Sequence, residues 1–136
     1  KQPLLIVNCG TAVSIDVINM DGVYLGGYIL GGFDGYKQSF SKAYNLKNIK
    51  LKNTGSTKKL KPSRSTKEAI IEGYALMITS AIEKSYKDFS VSQTKKPLLI
   101  IGGGYGKIIS KKLSIKNKYE SNLVLQSLGL ISDYQN

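Results

Sequence analysis

Between Asn8 and Asp16 the chain reads NCGTAVSID, a glycine–threonine step joining two apolar runs, Leu4–Val7 and Ala12–Ile18. A plain hairpin needs only a turn. A turn that holds a phosphate needs backbone N–H groups that no side chain crowds, a hydroxyl donor, and an oxygen nearby for a cation. Gly10, Thr11 and Ala12 offer the first two, and the Asn8 amide offers the third. A second glycine stretch, Gly102–Gly104 in LLIIGGGYGK, closes another apolar run. It is not a Walker loop, because Ile101 and Ile108 stand where a glycine and a hydroxyl are needed. Nor is it a dinucleotide fingerprint, because the third glycine position is Lys107. A strand ending in glycines can admit a flat or anionic ligand close to its backbone, or it can be a tight strand-to-helix turn. Spacing alone leaves both open.

Other chemistries are excluded by composition. The chain has no histidine and one cysteine, Cys9. That removes Ser-His-Asp and Cys-His catalysis, histidine bases, and histidine- or cysteine-rich zinc sites from this chain. A single cysteine makes no internal disulfide, which suits a reducing cytoplasm. Lys1 and Gln2 lead straight into the Leu4–Val7 run, so no leader is expected, and no apolar run approaches the roughly 20 residues of a membrane helix. The net charge of +11 raises a nucleic-acid partner, but Arg64 is the only arginine and the lysines are scattered. Bidentate recognition of bases and phosphates favours arginine, so a solvated lysine surface is a stronger reading than a nucleic-acid partner. A basic surface still attracts an anionic substrate such as a nucleotide.

These residues need elements to position them. The 136 residues, 41% hydrophobic, suit a single domain with one core. Leu4–Val7 reads as a buried strand and Ala12–Ile18 as a second, alternating Val13, Ile15 and Val17 with polar residues. Asp21-Gly22 signals a two-residue hairpin into a third strand, Val23–Leu30, whose internal Gly26-Gly27 imply a close backbone approach. Phe33–Tyr44 is expected to be helical, with Tyr36, Phe40 and Ala43 on one face. The lysine-rich segment 45–64 is expected to be a mobile loop with a short strand at Ile49–Leu51. Ser65 and Glu68 form a capping-box pattern opening a helix to about Asp88. Its apolar stripe is broad enough to pack on a sheet and also meet a partner chain, or simply to lie deep in a core. Leu98–Ile101 is a strand, Tyr105–Leu113 a short helix, and Leu123–Leu130 a strand passing into a helix. The order predicts an α/β fold whose mixed sheet carries antiparallel strands 1–3 and packed helices.

The hairpin is similar to the phosphate hairpins of actin-like and sugar-kinase-like ATPases, which resemble Asp-x-Gly-Thr. Over nearly its whole length the sequence resembles the C-terminal half of the type III pantothenate kinases, also called the Bvg accessory factor family. NCGTAVSID, LGGYILGG, PSRSTKEAI and the pair IGGGYG with NLVLQSLGL match family segments in the family's order. The resemblance implies an actin-like, ribonuclease H-like ATPase half-domain. It implies transfer of the ATP γ-phosphoryl group to pantothenate, the first step of coenzyme A synthesis. Mg, a monovalent cation (K or NH4) and a homodimer through the long helix 65–88 are implied as well. Carried over residue by residue, Gly10, Thr11 and Ala12 would meet ATP phosphate, and Gly102, Gly103 and Gly104 the adenosine side. Thr66 would meet pantothenate, Asn8 the monovalent cation, and Asp16 matches the pattern with a structural role.

The sequence departs from the pattern at Asn8 and Gly104, where the family has aspartates, at Gly31, where it has proline, and at Gln126-Ser127. The first phosphate loop and the catalytic base belong to the family's N-terminal half, so this chain carries no catalytic residue and is expected to be inactive alone. The departures motivate an alternative, a non-catalytic dimerisation module of the same fold. A nucleic-acid-binding regulator is the more distant alternative.

Overall fold

The computed structural model describes residues 1–40 and 60–123. Leu4–Cys9 forms β1 and Ala12–Ile18 forms β2, antiparallel with Cys9 opposite Val13. Alternation decides their faces. Leu5, Val7, Cys9, Val13 and Ile15 are buried, while Leu4, Ile6, Asn8, Ser14 and Asp16 on the other face are half-buried. Burial of each aliphatic side chain contributes about 1.5–3 kcal/mol, so a register slip of one residue would forfeit the whole row.

Tyr24–Gly31 is β3, an edge strand paired antiparallel to β2. The β2–β3 connection differs from the two-residue turn predicted. Asn19 N–H donates to the Val23 carbonyl, and the Asn19 side-chain oxygen accepts from the N–H groups of Asp21 and Val23. This makes a longer connection over Met20, Asp21 and Gly22, with Gly22 left-handed at φ 87°. The register shifts between Val17 and Ile18, facing Gly26 at φ 118°. A side chain at Gly27 would lie 2.3 Å from the Ile15 carbonyl oxygen, so the glycine pair does mark a close approach.

Phe33–Ser39 forms α1, shorter than the expected Phe33–Tyr44, whose remainder beyond Phe40 lies outside the described residues. Tyr36 and Phe40 meet edge-to-face at 5.1 Å, as a shared face requires. The expected strand at Ile49–Leu51 also lies outside them, and residues 60–64 form neither helix nor strand. Thr66–Val91 forms α2, three residues past the expected end. Ser65 is its N-cap, but the capping box is not closed by side chains. Ser63 takes over, donating to the Glu68 carboxylate at 2.8 Å and accepting from Ser65 N–H.

Leu98–Gly102 forms β4, parallel to β1, and Gly106–Lys112 forms α3. Lys118–Tyr119 forms β5, a two-residue strand parallel to β4 that the sequence reading missed. The expected element at 123–130 lies, beyond Leu123, outside the described residues. The sheet order is β3-β2-β1-β4-β5. Tyr74, Ile78 and Ile82 of α2 and Ile109 of α3 join Leu5, Val7, Leu99 and Ile101 in one core. Among the described residues no helix is long and apolar enough to cross a membrane.

Candidate functional site

Three segments meet where the parallel strands end. Asn8 of β1 stands beside Gly102 of β4 in register, so the hairpin after β1 and the glycine turn after β4 leave the sheet together. They touch through backbone. Gly103 is left-handed at φ 87°, and a side chain there would lie 2.5 Å from the Cys9 carbonyl oxygen. Tyr105 N–H donates to that same oxygen at 3.1 Å. From the other side comes Gly32, just before α1. A side chain on it would lie 2.1 Å from the Thr11 carbonyl oxygen and 2.6 Å from that of Gly10. The hairpin is therefore clamped between two glycines, one from each neighbouring crossover. Neither glycine motif singled out Gly32; the signal for it is the second Gly-Gly pair, Gly31-Gly32, immediately before a helix.

The hairpin tip itself is open. Gly10 N–H turns inward to the Ala12 carbonyl at 2.9 Å. Thr11 and Ala12 are exposed, and the Thr11 hydroxyl has no partner among the described residues. A Cβ at Gly10 would meet nothing closer than 3.8 Å, and one at Gly104 nothing within 4 Å. Packing thus explains Gly32 and Gly103 but requires neither Gly10 nor Gly104.

Aromatic rings brace the clamp. Phe33 meets Tyr74 of α2 at 5.1 Å and Tyr105 at 5.8 Å, both edge-to-face. Burial, and then the neighbouring Asp34 carboxylate, raises the Tyr105 hydroxyl above its ordinary value. Through Tyr74 the clamp is joined to α2, but Thr66 stands two turns earlier, about 12 Å along the helix axis, exposed at its first position. The hairpin and the Gly102–Gly104 turn are brought together; Thr66 is tied to them only through the helix. Gly73 of α2 faces the Tyr36 hydroxyl, at 3.4 Å from an added Cβ.

The polar groups near the hairpin sort by role. Asp16 accepts from Ser14 Oγ at 3.0 Å and from the Tyr24 hydroxyl at 3.3 Å, so its oxygens already tie β2 to β3. Burial pushes the Cys9 thiol up to about 12, which keeps it protonated and removes it as a nucleophile. Among the described residues no group of three or more acidic, cysteine or histidine side chains could hold a metal ion. The donors among the described residues do not fit a divalent cation. The Asn8 oxygen, an uncharged donor, suits at most a monovalent one. Open backbone beyond the carboxyl ends of parallel strands does suit a phosphate-bearing ligand.

The strand order, three antiparallel strands leading and two parallel ones following, is the ribonuclease H-like order of an actin-like ATPase half-domain. Within that class the chain belongs to the type III pantothenate kinase family, whose model matches residues 1–88. A type III pantothenate kinase of Persephonella marina is 31% identical over 134 residues, covering 98% of this chain and 51% of the relative. That of Sulfurihydrogenibium sp. is 29% identical, covering 98% and 52%. That of Herminiimonas arsenicoxydans is 32% identical, covering 97% and 51%. The chain spans about half the length of these curated relatives. A crystal structure from Campylobacter jejuni, described as a Baf family transcriptional activator, superposes with a TM-score of 0.65 at 22% identity. It covers 98% of this chain and 59% of that one, and supports the fold.

Proposed function

We propose that this chain is the C-terminal domain of an ATP-dependent pantothenate kinase and forms one jaw of its phosphate clamp. The observation that carries the reading is the backbone-to-backbone meeting of Gly10–Ala12, Gly32 and Gly103 at the carboxyl ends of β1 and β4. In this reading Thr11 N–H and hydroxyl meet ATP phosphate, and Gly102–Gly104 lie against the adenosine side. Asn8 faces a monovalent cation. Thr66 reaches pantothenate from the start of α2. Phosphoryl transfer rests on positioning and charge neutralisation. The residues here position; the charge, including Mg brought with ATP, and the catalytic base come from the N-terminal half of the full protein. The short chain alone is therefore inactive. Leu76 and Met77, 55% and 42% exposed on the outer side of α2, are the apolar surface through which two copies would pair.

A specific observation favours a second reading. Asp16 is already engaged by two hydroxyls and Asn8 is uncharged, so among the described residues the hairpin strands offer no free carboxylate for a cation. A non-catalytic dimerisation module of the same fold would tolerate that. Titration of ATP-Mg and a coupled assay with pantothenate, on the short chain and on the full-length protein, decide between them. Turnover by the long form only supports the kinase. No turnover and no ATP binding by either supports the module, and turnover by the short chain alone would show that the missing half is not needed.

A further inference from the structure

At the opposite end of the sheet from the glycine clamp lies a groove of ≈ 920 Å³, between the C-terminal half of α2, the start of β4 and the α3–β5 connection. Pro97 and the first two residues of β4, Leu98 and Leu99, line it, so it sits roughly 15 Å along the strand from Gly102. Its floor is apolar, formed by Pro97, Leu98, Ile115 and the ring of Tyr86, with the exposed Val91 at its edge. The floor's polar groups are internally satisfied, since the Tyr86 hydroxyl donates to the Pro97 carbonyl at 3.0 Å. The volume falls within the range of small-molecule pockets.

Four lysines border this floor: Lys87, Lys96, Lys116 and Lys118. Lys118 leans on Glu120 at 3.9 Å, while Lys87, Lys96 and Lys116 have no carboxylate partner among the described residues. The one acid in the groove, Glu83, is engaged, accepting from Ser114 N–H at 2.8 Å and Ser114 Oγ at 2.7 Å. The carbonyl end of α2 adds about half a negative charge at Val91. One carboxylate in the groove, one beside it and that half charge do not balance four ammonium groups. The rim stays cationic over an apolar floor.

We propose that this groove is a second ligand site, for a small free amphipathic anion, an apolar body carrying one carboxylate or phosphate. The apolar body lies on Val91, Pro97 and Ile115, and the anionic head lies between Lys96 and Lys116. The inference is independent of the kinase reading, since no residue of the clamp lines the groove.

The test is titration of the 136-residue chain with decanoate and decyl phosphate, below micelle formation, against decanol and decyltrimethylammonium. Calorimetry gives affinity and amide chemical shifts give place. Saturable binding of both anions by about 1 mM is expected, with shifts confined to Leu98, Leu99 and residues 115–118. Lys96→Glu with Lys116→Glu should weaken it at least about tenfold. Val91→Asp should weaken it as well, while Lys111→Glu, on α3 outside the groove, should not. All four residues, Val91, Lys96, Lys111 and Lys116, are exposed, so the fold survives the changes. Decanol binding as tightly as decanoate, an equal loss from Lys111→Glu, or no saturation would overturn the proposal. So would binding to anionic lipid vesicles with no binding of the free anions, because the groove would then be a membrane contact.

Discussion

Gly103 tests whether the clamp is held by backbone contact. Replacing it with alanine imposes two separable costs. The first is conformational: φ of 87° is left-handed, where an L side chain costs about 1–2 kcal/mol. The second is overlap: the new Cβ would lie 2.5–2.7 Å from the carbonyl oxygen, carbon and nitrogen of Cys9, all backbone atoms that no rotamer change can move aside. Forcing that contact apart adds about 1–3 kcal/mol, as overpacking does. Gly22 isolates the first cost, since it shares φ 87° but has nothing within 4 Å of an added Cβ. Gly104→Ala has neither cost. In urea unfolding followed by circular dichroism, Gly22→Ala should lose about 1–2 kcal/mol, Gly103→Ala about 2–5 kcal/mol, and Gly104→Ala under about 0.5 kcal/mol. If Gly103→Ala loses no more than Gly22→Ala, the turn is not pressed on β1 and the clamp geometry is wrong.

Three further outcomes are expected. Burial pushes the Cys9 thiol up to about 12 from its ordinary 9.0, so the fold holds the proton more tightly than the unfolded chain. That stability is full below about 9 and is lost as pH rises towards 12. Urea midpoints of wild type should therefore fall relative to Cys9→Ala across that window, with a slope of up to about 1.4 kcal/mol per pH unit; parallel profiles would contradict it. Lys112 Nζ bridges both Glu72 oxygens at 3.2 and 3.3 Å, with the two side chains 8% and 21% exposed. Lys112→Ala should cost about 2–3 kcal/mol in urea unfolding, much of it recovered by pairing Lys112→Met with Glu72→Leu. Leu76→Glu with Met77→Glu should leave unfolding within about 1 kcal/mol, yet abolish any dimer seen by sedentation equilibrium; a dimer that persists would place the interface elsewhere.

How much of this was legible in the sequence depends on the range of the interaction that decides each feature. The β1–β2 hairpin, β3, α2 and β4 follow from alternation, helical periodicity and glycine punctuation, all local, and were readable within a few residues. The Asp21-Gly22 turn was placed correctly but assigned the wrong length, because Asn19 rather than the dipeptide closes it. The capping box failed for a similar reason: Ser63, outside the motif, competes for Glu68. β5 was missed because two residues carry no periodicity; its pairing with Ile100 and Ile101 is wholly tertiary. At the site, the two glycine stretches were legible as motifs. Their meeting was not, since no spacing rule sets Asn8 beside Gly102.

That contrast gives Gly10 its value as a test. Gly32 and Gly103 have no room for a side chain, so their identity follows from the fold alone. Gly10 has room: an added Cβ would sit 3.8 Å from its nearest neighbours, and its φ is not left-handed. If only folding mattered, Gly10→Ala would be neutral or, by restricting the unfolded chain, more stable by about 0.4–1 kcal/mol. If the hairpin holds a phosphate, the methyl group stands where the ligand approaches the backbone. Unfolding of the short chain should then be unchanged or slightly strengthened, while the full-length protein loses at least about tenfold in ATP affinity by calorimetry. Thr11→Ala, removing an exposed donor to a charged group, should lose about 1.5–3 kcal/mol of the same binding with no effect on unfolding. Equal ATP affinity in wild type and both variants would mean that the glycine–threonine step is a turn and nothing more. The kinase reading would then lose the hairpin on which it stands.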